Sequence, residues 1–278
     1  MLVTDLALLL VGLMVGSFLN VCIARIPLGE SIVFPNSHCP QCGNSIKAYD
    51  NIPVISYVLL RGKCRSCKAK ISWQYPVVET LTALTFWLTY RCLGLDLRTA
   101  ILLIFFSAMW VLVFIDLNHR ILPNVITLSG IALGLVCSPL APVRDGTAEF
   151  LLNLFGWSTS SQMLSSFLDS VLGALVCGGF LWAVAELYLR IRKIEGLGFG
   201  DIKLMGMVGA LLGVKLTLLT IMLGSMMGAV IGMLFIKLTG KDSRYELPFG
   251  SFLGLATIIS ALWGRQMIGG YTRIVHGL

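Results

Sequence analysis

The sequence predicts an all-α polytopic membrane protein of about eight transmembrane helices, with one small polar insert between the first and second. Hydrophobic residues make up 56% of the 278 residues, and charged residues make up 13%, against about 25% in soluble domains. Apolar runs of the length that a bilayer requires recur along the chain. A single sizeable polar stretch, residues 25–75, interrupts them near the N-terminus. Lipid is therefore the expected solvent for most of the chain.

The apolar runs predict the positions of the spans. A spanning helix needs about 20 largely apolar residues, and the candidates are 5–24, 76–93, 99–115, 122–140, 167–189, 201–213, 215–236 and 249–267. The first run lacks a basic N-terminal region and continues to Ile23, so we expect a retained helix rather than a secretory signal peptide. Residues 141–166 are expected to form a polar loop. This organisation divides the chain into a first transmembrane helix (1–24), an insert (25–75) and a seven-helix membrane domain (76–278).

The distribution of Lys and Arg predicts the orientation. Seven of these residues lie in the insert, against Glu30 and Asp50. Cytoplasmic loops are enriched in Lys and Arg, so we expect a cytoplasmic insert and both termini outside. With this assignment 15 basic residues lie on the cytoplasmic side and 6 on the other. The net charge of +7 therefore indicates membrane orientation, and the lipid bilayer rather than nucleic acid is the expected partner.

The insert carries two pairs of cysteines, Cys39 with Cys42 and Cys64 with Cys67, separated by 21 residues. This spacing is typical of a tetrahedral zinc site with four thiolate ligands. An insert of about 50 residues is too small for much of a core, so a structural metal would help it fold. The alternative is two disulfides, which the reducing cytosol disfavours. Four thiolates leave no open coordination position, so the zinc is expected to be structural.

Two carboxylates are predicted at the same membrane depth. Asp116 closes the third predicted span and Asp201 opens the sixth, and both ends lie toward the cytoplasm. Carboxylates in membrane segments are costly and indicate functional sites. Two carboxyls that meet in a partly dry site share one proton. One ionised and one protonated carboxyl are what an aspartyl protease uses, so residues 76–278 are predicted to be the catalytic domain.

Glycines precede the second of these aspartates. Gly198 and Gly200 form a G-x-G-D motif with Asp201. Small residues let a backbone approach closely, so an extended substrate segment could lie against them. The alternative is a helix cap in a glycine-containing membrane segment. His119 could act as a base, although an interfacial polar residue is the simpler interpretation.

At this point the sequence resembles the bacterial prepilin peptidases, the leader peptidases of type IV pili and type II secretion. The resemblance runs from the first span to the last. It rests on Gly16-Ser17-Phe18-Leu19-Asn20, Ser37-His38-Cys39-Pro40-Gln41-Cys42-Gly43, Asn51-Ile52-Pro53-Val54-Ile55-Ser56-Tyr57, Leu60-Arg61-Gly62-Lys63-Cys64-Arg65-Ser66-Cys67, Tyr75-Pro76-Val77-Val78-Glu79, Asp116 and Gly198-Phe199-Gly200-Asp201.

The resemblance implies cleavage of a prepilin or pseudopilin leader after a glycine, at the cytoplasmic face of the bacterial inner membrane. It implies that Asp116 and Asp201 are the catalytic pair. Many members also methylate the new N-terminal residue with S-adenosylmethionine. Glu79 could hold an amine of that co-substrate or of the new N-terminus, or it could pair with a basic residue of the insert. Asn20 could line the same site or form hydrogen bonds between helices.

Three other functions compete with leader cleavage as interpretations of the sequence. A proton- or cation-coupled transporter predicts carboxylates near the bilayer midplane and related halves, whereas the predicted aspartates lie at one face and no repeat is visible. A non-enzymatic scaffold whose zinc insert binds a partner leaves the paired aspartates unexplained. A different G-x-G-D protease acting inside the bilayer does not fit the position of Asp116 or the four-cysteine insert.

Overall fold

A computed structural model describes residues 2–141, 145–157, 161–194, 196–239 and 247–276. The regular structure of these residues is α-helical, apart from short 3₁₀ turns and two isolated bridges in the insert. In chain order the helices are α1 (Leu2–Arg25), α2 (Ile55–Leu59), α3 (Gln74–Leu93), α4 (Leu97–His119), α5 (Asn124–Cys137), α6 (Thr147–Leu154), α7 (Gln162–Arg192), α8 (Phe199–Thr239) and α9 (Phe249–His276).

Five helical segments in the described part of the chain are long and apolar enough to cross a membrane. They are Leu2–Leu28, Leu97–His119, Gln162–Arg192, Phe199–Leu238 and Phe249–Ile274. The predicted all-helical, multi-span class is therefore confirmed. The count of eight spans stays a prediction, because α3 and α5 do not meet these criteria. Helix α8 has a non-helical residue, Gly213, at φ 79° and ψ −179°, where the sequence predicts the boundary between two spans.

The expected polar loop over 141–166 is partly helical. Helix α6 lies inside it, and α7 already begins at Gln162. The cause is the buried carboxylate of Asp169 on α7, which accepts the backbone N–H groups of Ala148 at 2.6 Å and Gly146 at 3.1 Å. A carboxylate at this position satisfies donors that a helix N-terminus leaves unpaired. The predicted loop residues 158–160, and the basic residues Arg144, Lys241 and Arg244 of the charge count, lie outside the described residues.

The chain forms two compact units, residues 1–115 and 116–278, and the boundary falls within the last turn of α4. In the first unit, α1 packs against α3. Gly12 and Gly16 lie at this contact, where a β-carbon would come within 2.5 Å of Ala83 Cα and 2.6 Å of Glu79 Cα. The missing side chains let the two backbones approach. The predicted division at residues 24 and 75 stays a prediction.

In the second unit α8 packs against α5, α7 and α9. Helices α7 and α8 meet at Gly173 and Gly209, where a β-carbon on either residue would lie 2.1 Å from the carbonyl oxygen of the other. Small residues at a helix crossing are typical of membrane proteins. The Ser170 hydroxyl donates to Ala210 O across the same contact. This packing holds the N-terminal end of α8, where Asp201 lies.

Candidate active site and metal centre

The second unit brings the two predicted catalytic aspartates together. Asp116 lies in the last turn of α4 and Asp201 in the first turn of α8, and their exposed fractions are 6% and 8%. A β-carbon on Gly250, in the first turn of α9, would lie 3.1 Å from Asp201 Oδ1 and 3.2 Å from Asp116 Oδ2. The distance between Asp201 Oδ1 and Asp116 Oδ2 is therefore at most the sum of 3.1 Å and 3.2 Å. The space between them is kept open by the missing side chain of Gly250.

The two carboxylates have different hydrogen-bond partners. Asp116 Oδ2 accepts the backbone N–H of Ser251 at 2.7 Å and the Ser251 hydroxyl at 2.8 Å. Both donors lie at the N-terminus of α9, where the helix dipole also favours a negative charge. Hydrogen bonds to a charged carboxylate stabilise that form. The two Ser251 donors therefore favour the ionised form of Asp116 over that of Asp201, which leaves Asp201 as the carboxyl better able to carry the shared proton.

The glycine motif lies against this pair. Gly198 precedes α8, and a β-carbon there would lie 3.6 Å from Asp201 Oδ2. Gly200 is already helical, and its added β-carbon would meet Leu122 Cβ at 3.0 Å. The predicted extended backbone is therefore limited to residues before Phe199, because α8 begins there. His119 is exposed at the end of α4.

The sequence reasoning missed the first turn of α9. Gly250 and Ser251 are 134 and 135 residues from Asp116 in the chain, and no spacing rule connects them. A signal was nevertheless present, since Pro248-Phe249-Gly250-Ser251 opens a predicted span on the same side of the membrane as both aspartates. Leu122 was missed as well, although it lies in the segment after Asp116. The catalytic roles of Asp116 and Asp201 stay predictions that this geometry supports.

The four cysteines of the insert converge in the first unit. The Sγ atoms of Cys39, Cys42, Cys64 and Cys67 all lie within 4.8 Å of one another, and Cys39 Sγ is 3.8 Å from Cys67 Sγ. Zn–S bonds of about 2.3 Å in a tetrahedron place the sulfurs about 3.8 Å apart. All eight cysteines of the chain are free thiols, so the disulfide alternative is not seen. The cluster fits a metal with four sulfur ligands.

The two cysteine pairs lie in matching turns. Cys39 N–H donates to Asn44 O and Gly43 N–H to Cys39 O. In the second turn Cys64 N–H donates to Ala69 O and Lys68 N–H to Cys64 O. In the first turn, the N–H groups of Cys42 and Gln41 lower the pKa of Cys39 to about 6. These backbone donors stabilise the thiolate form of Cys39, which is the form that binds metal.

Glu79 and Asn20 flank the α1–α3 contact at Gly16. Glu79 is buried and accepts the backbone N–H of Val54 through Oε2 at 2.7 Å. The expected alternative, a pair with a basic residue of the insert, is not seen among the described residues. Asn20 Nδ2 donates to Tyr75 O at 3.1 Å and Gly16 O at 3.3 Å. Its Oδ1 atom is buried and lacks a hydrogen-bond partner in the described part of the chain.

Comparisons with known proteins agree with this arrangement. Residues 10–93 match the Bacterial Peptidase A24 N-terminal domain, and residues 103–233 match the Type IV leader peptidase family. A prepilin leader peptidase/N-methyltransferase of Pseudomonas aeruginosa is 35% identical over 289 residues, which covers 96% of this chain and 92% of that protein. A protein of the same name from Legionella pneumophila is 30% identical over 94% of this chain and 92% of its own length. No solved structure matches the chain.

The two matched regions together cover most of both structural units. The first contains the cysteine cluster with Asn20 and Glu79, and the second contains Asp116 and Asp201. The resemblance that the sequence motifs indicated is therefore confirmed. On these matches and on relatives that align along almost the full chain, this multi-pass membrane protein belongs to the type IV leader peptidase family.

Proposed function

We propose that the protein is a membrane aspartyl endopeptidase that removes the leader of type IV prepilins and pseudopilins after a glycine, and then N-methylates the new N-terminal residue. The observation that carries the peptidase activity is the convergence of Asp116 and Asp201 on the space beside Gly250. Both carboxyls are buried, and no side chain of Gly250 stands between them. The relatives' shared name, prepilin leader peptidase/N-methyltransferase, supports both activities.

The proposed cleavage divides the work between the two carboxyls. The Asp116 carboxylate, held by Ser251, takes a proton from a water molecule whose oxygen attacks the scissile carbonyl. Protonated Asp201 donates its proton to the carbonyl oxygen. The tetrahedral intermediate then returns that proton to Asp201, the C–N bond breaks, and the amine leaves with the proton held by Asp116. One ionised and one protonated carboxyl are thereby restored.

We propose eight spans in the bacterial inner membrane, with 1–24 as the first span, 25–75 as the cytoplasmic insert and 76–278 as the catalytic domain. The two segments of α8 on either side of Gly213 would each cross once. Helix α3 has 20 residues, and α5 has 14 and would need its ends buried by neighbours. The excess of Lys and Arg in the insert supports a cytoplasmic active site and outer termini. The apolar N-terminal helix of a prepilin could then lie in the bilayer while its leader remains at the cytoplasmic face.

The metal centre would hold zinc through Cys39, Cys42, Cys64 and Cys67. The fit rests on four mutually close sulfurs and on the backbone donors that stabilise the Cys39 thiolate. With four protein ligands the ion would have a folding role. It would tie the two turns of the insert together beside the N-terminal end of α3.

S-adenosylmethionine would supply the methyl group of the second activity. We assign Glu79 and Asn20 to its binding or to the new N-terminus. The amide oxygen of Asn20 has unused acceptor capacity in a buried position, and Glu79 offers a carboxylate that no Lys or Arg among the described residues neutralises. Amine and hydroxyl donors would satisfy both groups. These two acceptors support the assignment.

Intact-mass analysis of a purified prepilin incubated with the detergent-solubilised enzyme tests this function. We expect loss of the leader, and an added methyl group only when S-adenosylmethionine is present. Glu79→Gln should abolish methylation and keep cleavage, while Glu149→Gln, an exposed carboxylate on α6, should keep both. A prepilin that remains intact would refute the peptidase, and full methylation by Glu79→Gln would refute the role of Glu79.

A further inference from the structure

We infer that Leu122 is the residue that enforces a glycine before the scissile bond, by filling the space that any side chain there would need. The inference rests on the proposed leader cleavage and adds the structural basis of its specificity. Leu122 belongs to the segment between α4 and α5 and is partly exposed. It is therefore not a wholly buried packing residue, and one part of it faces a surface that a substrate could reach.

Leu122 packs against two glycines, Gly200 and Gly250. Its Cδ1 atom lies 2.8 Å from the position of an added β-carbon on Gly250, and its Cβ atom lies 3.0 Å from that of an added β-carbon on Gly200. The position beside Gly250 is also 3.1 Å from Asp201 Oδ1 and 3.2 Å from Asp116 Oδ2. One methyl group of Leu122 therefore lies next to the space that both carboxyls share.

The geometry of cleavage links this methyl group to specificity. The carbonyl carbon under attack must lie between the two carboxyls, and the α-carbon of its own residue is about 1.5 Å from it. A β-carbon on that residue adds a further bond of similar length, and we expect it to meet the Leu122 methyl, which lies beside the shared space. A residue with no β-carbon avoids this contact. The Leu122 side chain thus selects against a substrate side chain at this position. It is aliphatic and therefore offers no hydrogen bond to such a side chain.

The surrounding structure holds Leu122 in place. Leu122 is followed by Pro123, whose carbonyl accepts the N–H groups of Ile126 and Thr127 at the start of α5. Lys203 Nζ donates to Asn124 Oδ1 at 2.8 Å and thereby joins the start of α5 to the first turn of α8. The segment that carries Leu122 is consequently joined to the helix that carries Asp201.

The test compares two prepilins that differ only in Gly or Ala before the scissile bond. We expect wild-type enzyme to cleave the Gly substrate and discriminate against the Ala substrate. Leu122→Ala should raise the Ala-to-Gly ratio of kcat/KM about tenfold or more, as expected when space for one or two methyl groups is opened. Leu128→Ala is the matched control, because Leu128 lies on α5 with 50% of its surface exposed and should leave the ratio unchanged.

An unchanged ratio in Leu122→Ala, with the Gly substrate still cleaved, would overturn the inference alone. Wild-type enzyme that cleaves neither substrate would overturn the proposed function and this inference with it. If Leu122→Ala does not fold, Leu122→Val keeps most of the packing and should still raise the ratio. A ratio that Leu122→Val leaves at the wild-type value would then overturn the inference.

Discussion

Ser251 donates both its backbone N–H and its hydroxyl to the same oxygen of Asp116, at 2.7 and 2.8 Å. The two residues are 135 positions apart in the chain, yet this contact ties the end of α4 to the start of α9. It also distinguishes the two carboxyls, because donors favour the ionised form of the group that accepts them. The contact therefore gives a physical reason for Asp116 to act as the base.

Ser251→Ala should reduce kcat about tenfold with little change in KM. The variant removes the hydroxyl donor and keeps the backbone donor, and a hydrogen bond to a charged group contributes about 1.5–3 kcal/mol. Ser260→Ala is the control on the same helix, since the buried Ser260 hydroxyl has no partner among the described residues. Steady-state cleavage of a prepilin measures both. Equal kcat values in Ser251→Ala and wild type would contradict the role of the hydroxyl.

Gly250→Ala should abolish cleavage while the protein stays folded. The new methyl group would occupy the space between the carboxyls, at 3.1 and 3.2 Å from their oxygens, where the water and the carbonyl must meet. Gly269→Ala on the same helix meets no atom within 4 Å and should leave activity unchanged. Cleavage rates measure the loss of activity, and thermal unfolding curves show whether each variant is folded. Normal cleavage by Gly250→Ala would show that the reaction takes place elsewhere.

Removal of the metal should destabilise the insert. We expect about one zinc per chain in purified protein, and a lower Tm after chelation or in Cys39→Ser, because metal binding contributes to the folding of small domains. Cys92→Ser is the control, since Cys92 is exposed and outside the cluster. Metal analysis and thermal unfolding are the measurements. Protein that retains its full Tm without zinc would exclude a structural metal.

Asp169→Ala should lower stability without changing the chemistry. It would leave the N–H groups of Gly146 and Ala148 without the carboxylate that now accepts them. A hydrogen bond to a charged group contributes about 1.5–3 kcal/mol to the free energy of unfolding. Asp169→Asn keeps one acceptor oxygen and should lose less. The expected signature is a lower Tm with an unchanged kcat per folded molecule. An unaltered Tm, or a loss of kcat without a loss of stability, would contradict a purely stabilising role of Asp169.

The parts of the fold that hydropathy and metal spacing encode could be predicted from the sequence. The cysteine pairs converge as their spacing indicated, and Gly213 breaks α8 at the predicted boundary between two spans. Helix α6 could not be predicted, because its eight residues are too few for a hydropathy pattern. The group that caps its N-terminus is the carboxylate of Asp169, which belongs to another helix, α7. Gly250 and Ser251 were missed for a related reason. Their importance arises from a contact across the fold, which composition and local spacing do not record.

The most direct test of the central claim is cleavage of a prepilin by Asp116→Asn and Asp201→Asn, measured by intact mass beside wild-type enzyme. An amide retains the size of each side chain but can neither accept the proton from water nor donate an acidic one. We expect both variants to fold and bind zinc, and both to leave the prepilin intact under conditions in which wild type removes the leader completely. Removal of the leader by either variant at the wild-type rate would contradict the two-aspartate mechanism.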